Sequence, residues 1–168
     1  MFASLFDYKA WANAQMLEAM AAIDGDRHAE QRRKAIRVMN HTFVVDRIFA
    51  AHLLGEPHPY TATNTEETPE LPALAESIRA SDAWLAGYAR ELPAERMDER
   101  IRFHFTDGKA GEMSRAEMLQ HLIVHGAYHR GAVGQILDAL SLPRPADTIN
   151  VYLHAAEPSR REHGGAAR

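Results

Sequence analysis

The chain has 168 residues, of which 46% are hydrophobic and 25% are charged, and its formal net charge is −4. This length and balance predict one folded domain with a single core, and the net charge does not favour nucleic acid or an anionic membrane as a partner. The absence of cysteine excludes disulfides, thiolate nucleophiles and cysteine-ligated zinc or iron–sulfur sites. Any bound metal must therefore have His, Asp or Glu ligands.

The sequence also carries no signal for export or for membrane insertion. No apolar stretch approaches the roughly 18–20 residues that span a bilayer. The first residues lack the basic region that begins a signal peptide. We therefore expect a cytoplasmic protein.

Apolar residues at helical spacing predict two helices in the first third of the chain. The first helix is expected over residues 2–22, before Gly25. The second helix is clearest over residues 35–54, begins somewhere after Asp26, and ends at Gly55. A polar connection follows it.

The middle of the chain predicts a third helix and then a short β segment. Thr68, Pro69 and Glu70 are typical of a helix start, with Thr68 as the N-cap and proline at the first helical position. The third helix is expected to continue to about residue 91. Residues 101–109 alternate apolar and polar side chains and include an Asp-Gly pair, which favours a strand or hairpin.

Ser114 and Glu117 have the spacing of a capping box, which predicts the start of helix four. This helix is expected to run to about residue 140, before Pro143. Residues 147–154 are expected to form a short final helix.

Together these elements predict an all-α fold. It is a four-helix bundle with a short β excursion before helix four and a short C-terminal helix. We expect a single domain over residues 1–158. The polar residues 159–168 are expected to be a disordered tail.

Three histidines recur every four residues along helix four, at His121, His125 and His129. A step of four residues leaves neighbouring side chains on one side of a helix, one turn apart. That side also carries apolar residues, so the imidazoles are expected to point into the bundle. A single inward histidine is usually a hydrogen-bonded core residue, whereas a pair one turn apart is typical of a metal site. All three span about 80° and about 12 Å of rise, so only two of them can share one ion.

A third ligand is expected from helix two. His41 lies between Val38 and Val45, which places it on the inward face of that helix. His52 lies in the last turn, where an imidazole is more often a partner of the terminal carbonyls. The other histidines lie in loops, at termini or on the β segment and are not expected to bind metal. They are His28, His58, His104, His154 and His163.

Three neutral imidazoles leave a coordination position open for water and substrate, which is typical of a catalytic site. A metal held in this way lowers the pKa of bound water or activates an incoming thiol. The ligand set admits iron, cobalt, manganese or copper, and zinc or nickel are the ions we expect. The sequence has neither His-Glu-x-x-His nor the Glu-x-x-His pairs of di-iron bundles.

Three segments carry a family resemblance: residues 8–13, residues 39–49 and residues 121–135. The second is similar to the Asn-His…Asp-Arg-Ile-Trp motif of the DinB family, the damage-inducible four-helix-bundle proteins. The third is similar to that family's His-x-x-x-His-x-x-x-His-Arg-Gly-Gln motif, and the first to its usual first helix. The resemblance covers nearly the whole chain, from about residue 2 to residue 154. One departure is Ala132-Val133, which stands where the family usually has Gly-Gln.

The resemblance implies a divalent metal bound by His41, His125 and His129, with His121 lining the site. It also implies a homodimer that acts on a small-molecule substrate. Relatives include S-transferases that use bacillithiol or mycothiol, and a maleylpyruvate isomerase. The chain therefore resembles metal-dependent thiol S-transferases or hydrolases of stress or detoxification chemistry, with a low-molecular-weight thiol as co-substrate.

A second hypothesis stays open, in which the bundle is not an enzyme and uses a metal for stability or for sensing. The sequence places no Asp or Glu clearly beside the three histidines, which favours this alternative. Asp46 and Arg130 are interpreted as an interhelical ion pair. Alternatively, they orient the ligand helices or contact an anionic substrate.

Overall fold

The computed structural model describes residues 1–165, with side chains through Arg161. Within these residues the main elements are α1 (Phe2–Ala21), α2 (Ala29–Leu54), α3 (Leu71–Glu91), β1 (Arg100–His104), β2 (Ala110–Ser114), α4 (Arg115–Ala139) and α5 (Ile149–Ala156). Short 3-10 helices cover Ala94–Arg96 and Pro158–Gly165. The predicted all-α bundle with a short β excursion and a short C-terminal helix is confirmed.

The four long helices pack in an order that differs from their order in the chain. α1 packs against α3 and α4, and α2 packs against the same two helices. α1 and α2 therefore lie diagonally opposite each other. This arrangement places α2 beside α4, the two helices that carry the predicted metal ligands.

The core consists of two apolar clusters with a polar layer between them. The cluster on the hairpin side includes Phe6, Val44, Leu85, Phe103 and Leu122. The cluster on the other side includes Met16, Met39, Ile78, Val133 and Leu137. On every long helix, buried polar residues lie between the two clusters. They are Lys9, Asn13, Asn40, Thr42, Ser81, Asp82 and Arg130.

The start of α4 is the predicted capping box. The backbone N–H of Glu117 donates to Ser114 Oγ at 3.1 Å, and the backbone N–H of Ser114 donates to the Glu117 carboxylate at 2.6 Å. These bonds satisfy two N–H groups that the helix itself leaves without partners. The start of α4 is therefore fixed by local hydrogen bonds.

The prediction that Thr68 caps α3 is wrong. The helix begins at Leu71, after Glu70, and Pro72 occupies its second position. A start at Pro69 would leave Pro72 at the fourth helical position, where a backbone N–H normally bonds back to the N-cap carbonyl. Proline has no N–H to donate, and its ring would clash with that turn. The second proline therefore moves the start of the helix forward.

The β excursion predicted over residues 101–109 is a longer hairpin in the structure. β1 pairs antiparallel with β2, with Arg100 opposite Ser114 and His104 opposite Ala110. Gly108 has φ of 84°, in the left-handed region that a tight turn requires. The second strand has a weak sequence signal because Ala and Gly disfavour strands. It forms by pairing with β1.

The predicted disordered tail, residues 159–168, is described only in part. The 3-10 helix Pro158–Gly165 covers its beginning, and residues 166–168 lie outside the described part of the chain, so disorder there stays a prediction. Within the described residues, no helix has the length and apolar character needed to cross a bilayer.

Candidate metal centre

His41, His125 and His129 come together where α2 packs against α4. One ring nitrogen from each lies within 4.8 Å of the other two. In the part of the chain that the structure describes, this is the one group of three or more His, Asp or Glu side chains with such spacing. All three residues are half-buried. They lie at the level of the polar layer. On α2, His41 stands between Met39, which belongs to one core cluster, and Val44, which belongs to the other.

Two of the rings already have the spacing that a shared ion requires. The Nε2 atoms of His41 and His125 are 3.1 Å apart. Two nitrogens bound at about 2.0–2.1 Å to a tetrahedral zinc lie about 3.3 Å apart. The ring centroid of His129 lies 4.6 Å from that of His41 and 4.4 Å from that of His125. A small inward shift of the third ring would complete the set.

The hydrogen bond of His41 fixes which nitrogen faces the centre. Its Nδ1 lies 2.7 Å from the carbonyl oxygen of Thr63. A carbonyl oxygen can only accept, so Nδ1 carries the proton and Nε2 presents a lone pair toward His125. A second partner of this kind is typical of metal-ligating histidines. The Nδ1 atom of His125 is buried and has no hydrogen-bond partner.

His125 and His129 are held in the neutral form that binds metal. Burial, together with the neighbouring His129 and His41, lowers the pKa of His125 from 6.5 to about 3. Burial also lowers the pKa of His129, and His41 adds to this shift. Three converging imidazole nitrogens, two of them with a lowered pKa, fit a divalent transition metal.

His121 lies beside the centre but outside the group of three. Its ring stacks on His125, with centroids 5.2 Å apart, and on Phe49, with centroids 4.8 Å apart. Burial lowers the pKa of His121. This placement agrees with the expectation that His121 lines the site.

His52 does not serve as a partner of the terminal carbonyls of α2. The backbone N–H of Gly55 bonds to the carbonyl of His52, and that of Glu56 bonds to the carbonyl of Ala51. Gly55 has φ of 71°, and this left-handed residue turns the chain so that backbone groups cap the helix. The His52 ring stacks on Phe103 instead, with centroids 4.7 Å apart.

The interpretation of Asp46 and Arg130 as an ion pair is wrong. Asp46 accepts from Lys9 Nζ at 2.6 Å, and Arg130 Nε donates to Asp147 at 2.8 Å. Lys9 also donates to Asp82 at 2.7 Å. Lys9 and Arg130 are both buried, and each pairs with a carboxylate from another part of the chain. The residue spacing within a single helix does not predict such partners.

Asn13 joins these pairs into one system. Its amide donates to Asp82 at 2.8 Å, and its side-chain oxygen accepts from Arg130 Nη1 at 3.0 Å. Tyr8 donates to Asp147. We call this set the buried charge network. Its members are Tyr8, Lys9, Asn13, Asp46, Asp82, Arg130 and Asp147.

Most of the buried charge network was missed by the sequence reasoning. A signal was available on α1 and α3, where Lys9 and Asp82 interrupt apolar stripes. Lys9 lies three residues after Phe6, and Asp82 lies three residues before Leu85, and all four side chains are buried. A charged residue in an inward position predicts a buried partner. The sequence alone could not name that partner.

The fold and the site together define the class of protein: a four-helix bundle with a candidate three-histidine metal site between its second and fourth helices. The chain belongs to the DinB family, whose family model matches residues 1–162. Searches of curated proteins and of solved structures gave no match. At the departure from the family motif, Val133 is fully buried in the apolar core, so this position contributes packing and no polar group.

Proposed function

We propose that the protein is a metal-dependent enzyme with a mononuclear divalent metal site formed by His41, His125 and His129. The observation that carries the proposal is the convergence of three imidazole nitrogens within 4.8 Å of one another. We propose a thiol S-transferase, or a hydrolase, of stress or detoxification chemistry. Zinc and nickel are the favoured ions, and the ligand set also suits iron, cobalt, manganese or copper.

A three-histidine site suits catalysis because it leaves room for a substrate. The three side chains are only half-buried, so the centre is open to small molecules. His41, His125 and His129 would hold a divalent metal with room for a further ligand, and such a metal would supply the positive charge that makes a thiol or water more acidic. A low-molecular-weight thiol is therefore the proposed co-substrate.

The chain's own residues would orient the ligands and move the proton. The Thr63 carbonyl holds the His41 ring with Nε2 toward the centre. His121, neutral and stacked on His125, is the nearest further imidazole that could accept a proton from the substrate. Among the described residues, no carboxylate hydrogen-bonds to any of the three ligands. This favours a substrate that is acidic once coordinated, such as a thiol, over one that needs a strong protein base.

The second candidate is a bundle that binds metal without catalysis, for stability or for sensing. It is favoured by the fact that Asp46 and Asp147 already pair with cations of the protein. Asp46 and Asp147 are both committed to buried or half-buried ion pairs, so neither is free for acid–base chemistry.

The two candidates are separated by one set of measurements on purified protein. Metal content is determined by elemental analysis, and turnover is assayed with thiol and electrophile pairs before and after chelation. Turnover that disappears on chelation, returns with metal and is absent in His125→Ala supports the enzyme. Bound metal with a large fall in melting temperature on chelation, and no turnover with any pair, supports the structural or sensing role.

We further propose a cytoplasmic homodimer that acts on a small molecule and has neither nucleic acid nor membrane as a partner. The net charge of −4 supports the exclusion of polyanionic partners. Gel filtration with light scattering measures the oligomeric state directly.

A further inference from the structure

We propose that the buried charge network positions the two metal ligands of α4, His125 and His129. This inference rests on the proposed metal site and extends it to side chains that do not touch the metal. The positioning residues are Lys9 and Arg130. Their side chains pack directly against the backbone of α4 at Gly126, which has no side chain to keep them away.

The network connects every long helix of the bundle. Lys9 on α1 bonds to Asp46 on α2 and to Asp82 on α3, at 2.6 and 2.7 Å. Arg130 on α4 bonds to Asn13 on α1 at 3.0 Å. The bonds of Arg130 to Asn13 and Asp147 have defined directions, so they restrain the rotation and height of α4 more closely than apolar contacts do.

The network meets α4 beside the metal ligands. A methyl group on Gly126 would lie 3.2 Å from Arg130 Nη1 and 3.3 Å from Lys9 Cε. Gly126 directly follows His125, and Arg130 directly follows His129. The Arg130 side chain runs back over the preceding turn, as long side chains on helices do, and so it covers the backbone between the two ligands.

Glycine in the middle of a helix costs about 1 kcal/mol relative to alanine. At Gly126 the absence of a side chain makes room for two buried cations, Lys9 and Arg130, and this explains why glycine is present despite that cost. Gly131, in the same helix, differs: a methyl group there would meet nothing within 4 Å. Alanine at either position raises helix propensity, but only alanine at Gly126 would also press on the network. Comparing the two variants therefore distinguishes the two effects.

A role in stability alone explains the network poorly. Lys9, Asp46, Asp82 and Arg130 are each at most 3% exposed. Burying such ions costs several kcal/mol apiece, and well-packed apolar residues in place of buried ion pairs are often neutral or stabilising. Directional bonds beside the ligand helix give the network a function that apolar packing does not supply.

The test compares Gly126→Ala with the matched control Gly131→Ala in the full chain. Zinc affinity is measured by competition with a chromophoric chelator. The visible absorption spectrum of the Co²⁺ form reports coordination geometry, and the melting temperature of the metal-free protein reports stability. Asp147→Asn is a third variant, which weakens the hold on Arg130 from outside α4.

We expect Gly126→Ala to weaken zinc binding about tenfold or more, the range seen when residues behind metal ligands are changed. Its Co²⁺ spectrum should shift, whereas its metal-free melting temperature should stay level or rise. Gly131→Ala should raise the melting temperature and leave zinc affinity within about twofold of the wild type. Asp147→Asn should weaken zinc binding in the same direction as Gly126→Ala.

Two results would overturn the positioning role. One is zinc affinity within about twofold of the wild type, with an unchanged Co²⁺ spectrum, in both Gly126→Ala and Asp147→Asn. The other is an equal loss of affinity in Gly126→Ala and Gly131→Ala, which would assign the effect to the helix as a whole. A wild-type protein that binds neither Zn²⁺ nor Co²⁺ would instead refute the metal site itself, so the two failures are distinguishable.

Discussion

The histidine centre and the buried charge network occupy the same polar layer of the bundle, yet they are built in opposite ways. The three histidines are half-buried, and no carboxylate among the described residues hydrogen-bonds to them. The charged side chains are nearly all buried, and each finds an opposite charge. The comparison teaches that converging imidazoles without a counter-ion mark the candidate metal site, whereas buried ions with opposite charges beside them mark where the fold is held.

Electrostatics sharpens the difference between the two regions. At His125, burial opposes the charged form, and the pKa falls to about 3 because no anion compensates. At Lys9, burial also opposes the charged form, but Asp46 and Asp82 outweigh it and the pKa is raised. Burial raises the pKa of Asp46 to about 6, against the opposing effect of Lys9. The same polar layer thus holds one neutral region and one ionised region.

The largest expected effect is on metal binding at the histidine centre. His125→Ala should reduce zinc affinity by more than about a hundredfold, beyond the range for residues behind the ligands. Titration calorimetry measures the affinity and the stoichiometry. The matched variant His121→Ala, on the same helix, should still bind one equivalent. The opposite pattern, with binding lost in His121→Ala and kept in His125→Ala, would show that His121 is a metal ligand and that His125 is not.

The next effect is on folding, through the buried charge network. Lys9→Met leaves two buried carboxylates without their cation and should lower the free energy of unfolding of the metal-free protein by about 3–5 kcal/mol. Urea denaturation measures it. The triple variant Lys9→Met, Asp46→Asn, Asp82→Asn should recover much of the loss because it removes the uncompensated charges. A loss below about 1 kcal/mol in Lys9→Met would mean that the ion pairs contribute no more than exposed pairs do.

A smaller effect is expected where the network reaches the segment before α5. Asp147→Ala removes the carboxylate that accepts from Arg130 and should cost about 1.5–3 kcal/mol, the range for hydrogen bonds to charged groups. Asp138→Ala is the control, since Asp138 forms an exposed pair with Arg144 at 3.1 Å. That control should cost less than about 1 kcal/mol. Equal costs for the two variants in urea denaturation would argue against a special role for Asp147.

The last expected effect is a pH dependence of the metal-free protein. The unfolded chain protonates His125 near pH 6.5, whereas the folded protein holds the pKa of this residue at about 3. The unfolded state therefore binds more protons in this window, and stability should decline as the pH falls from about 6.5 toward 3. His125→Gln, which does not titrate, should decline less steeply in urea denaturation across this range. Parallel curves for the two proteins would contradict the lowered pKa.

Much of the fold could be predicted because its signals are local. Apolar spacing predicts the long helices, and the capping box at Ser114 fixes the start of α4. The errors have local causes too. Thr68 has the residue type of an N-cap, but Pro72 excludes a helix that begins so early. The second strand lacks a signal of its own because its stability comes from pairing with β1.

The sequence by itself determined that the histidines share one side of α4, since a step of four residues on a helix does so whatever surrounds it. It also determined that His41 faces inward on α2. Only the tertiary structure decided which charges meet. Asp46 pairs with Lys9 because α2 and α1 lie diagonally across the core, and Arg130 pairs with Asp147 because the chain returns over α4 before α5. Periodicity gives the direction of a side chain from its own helix, whereas its partner depends on how separate helices pack.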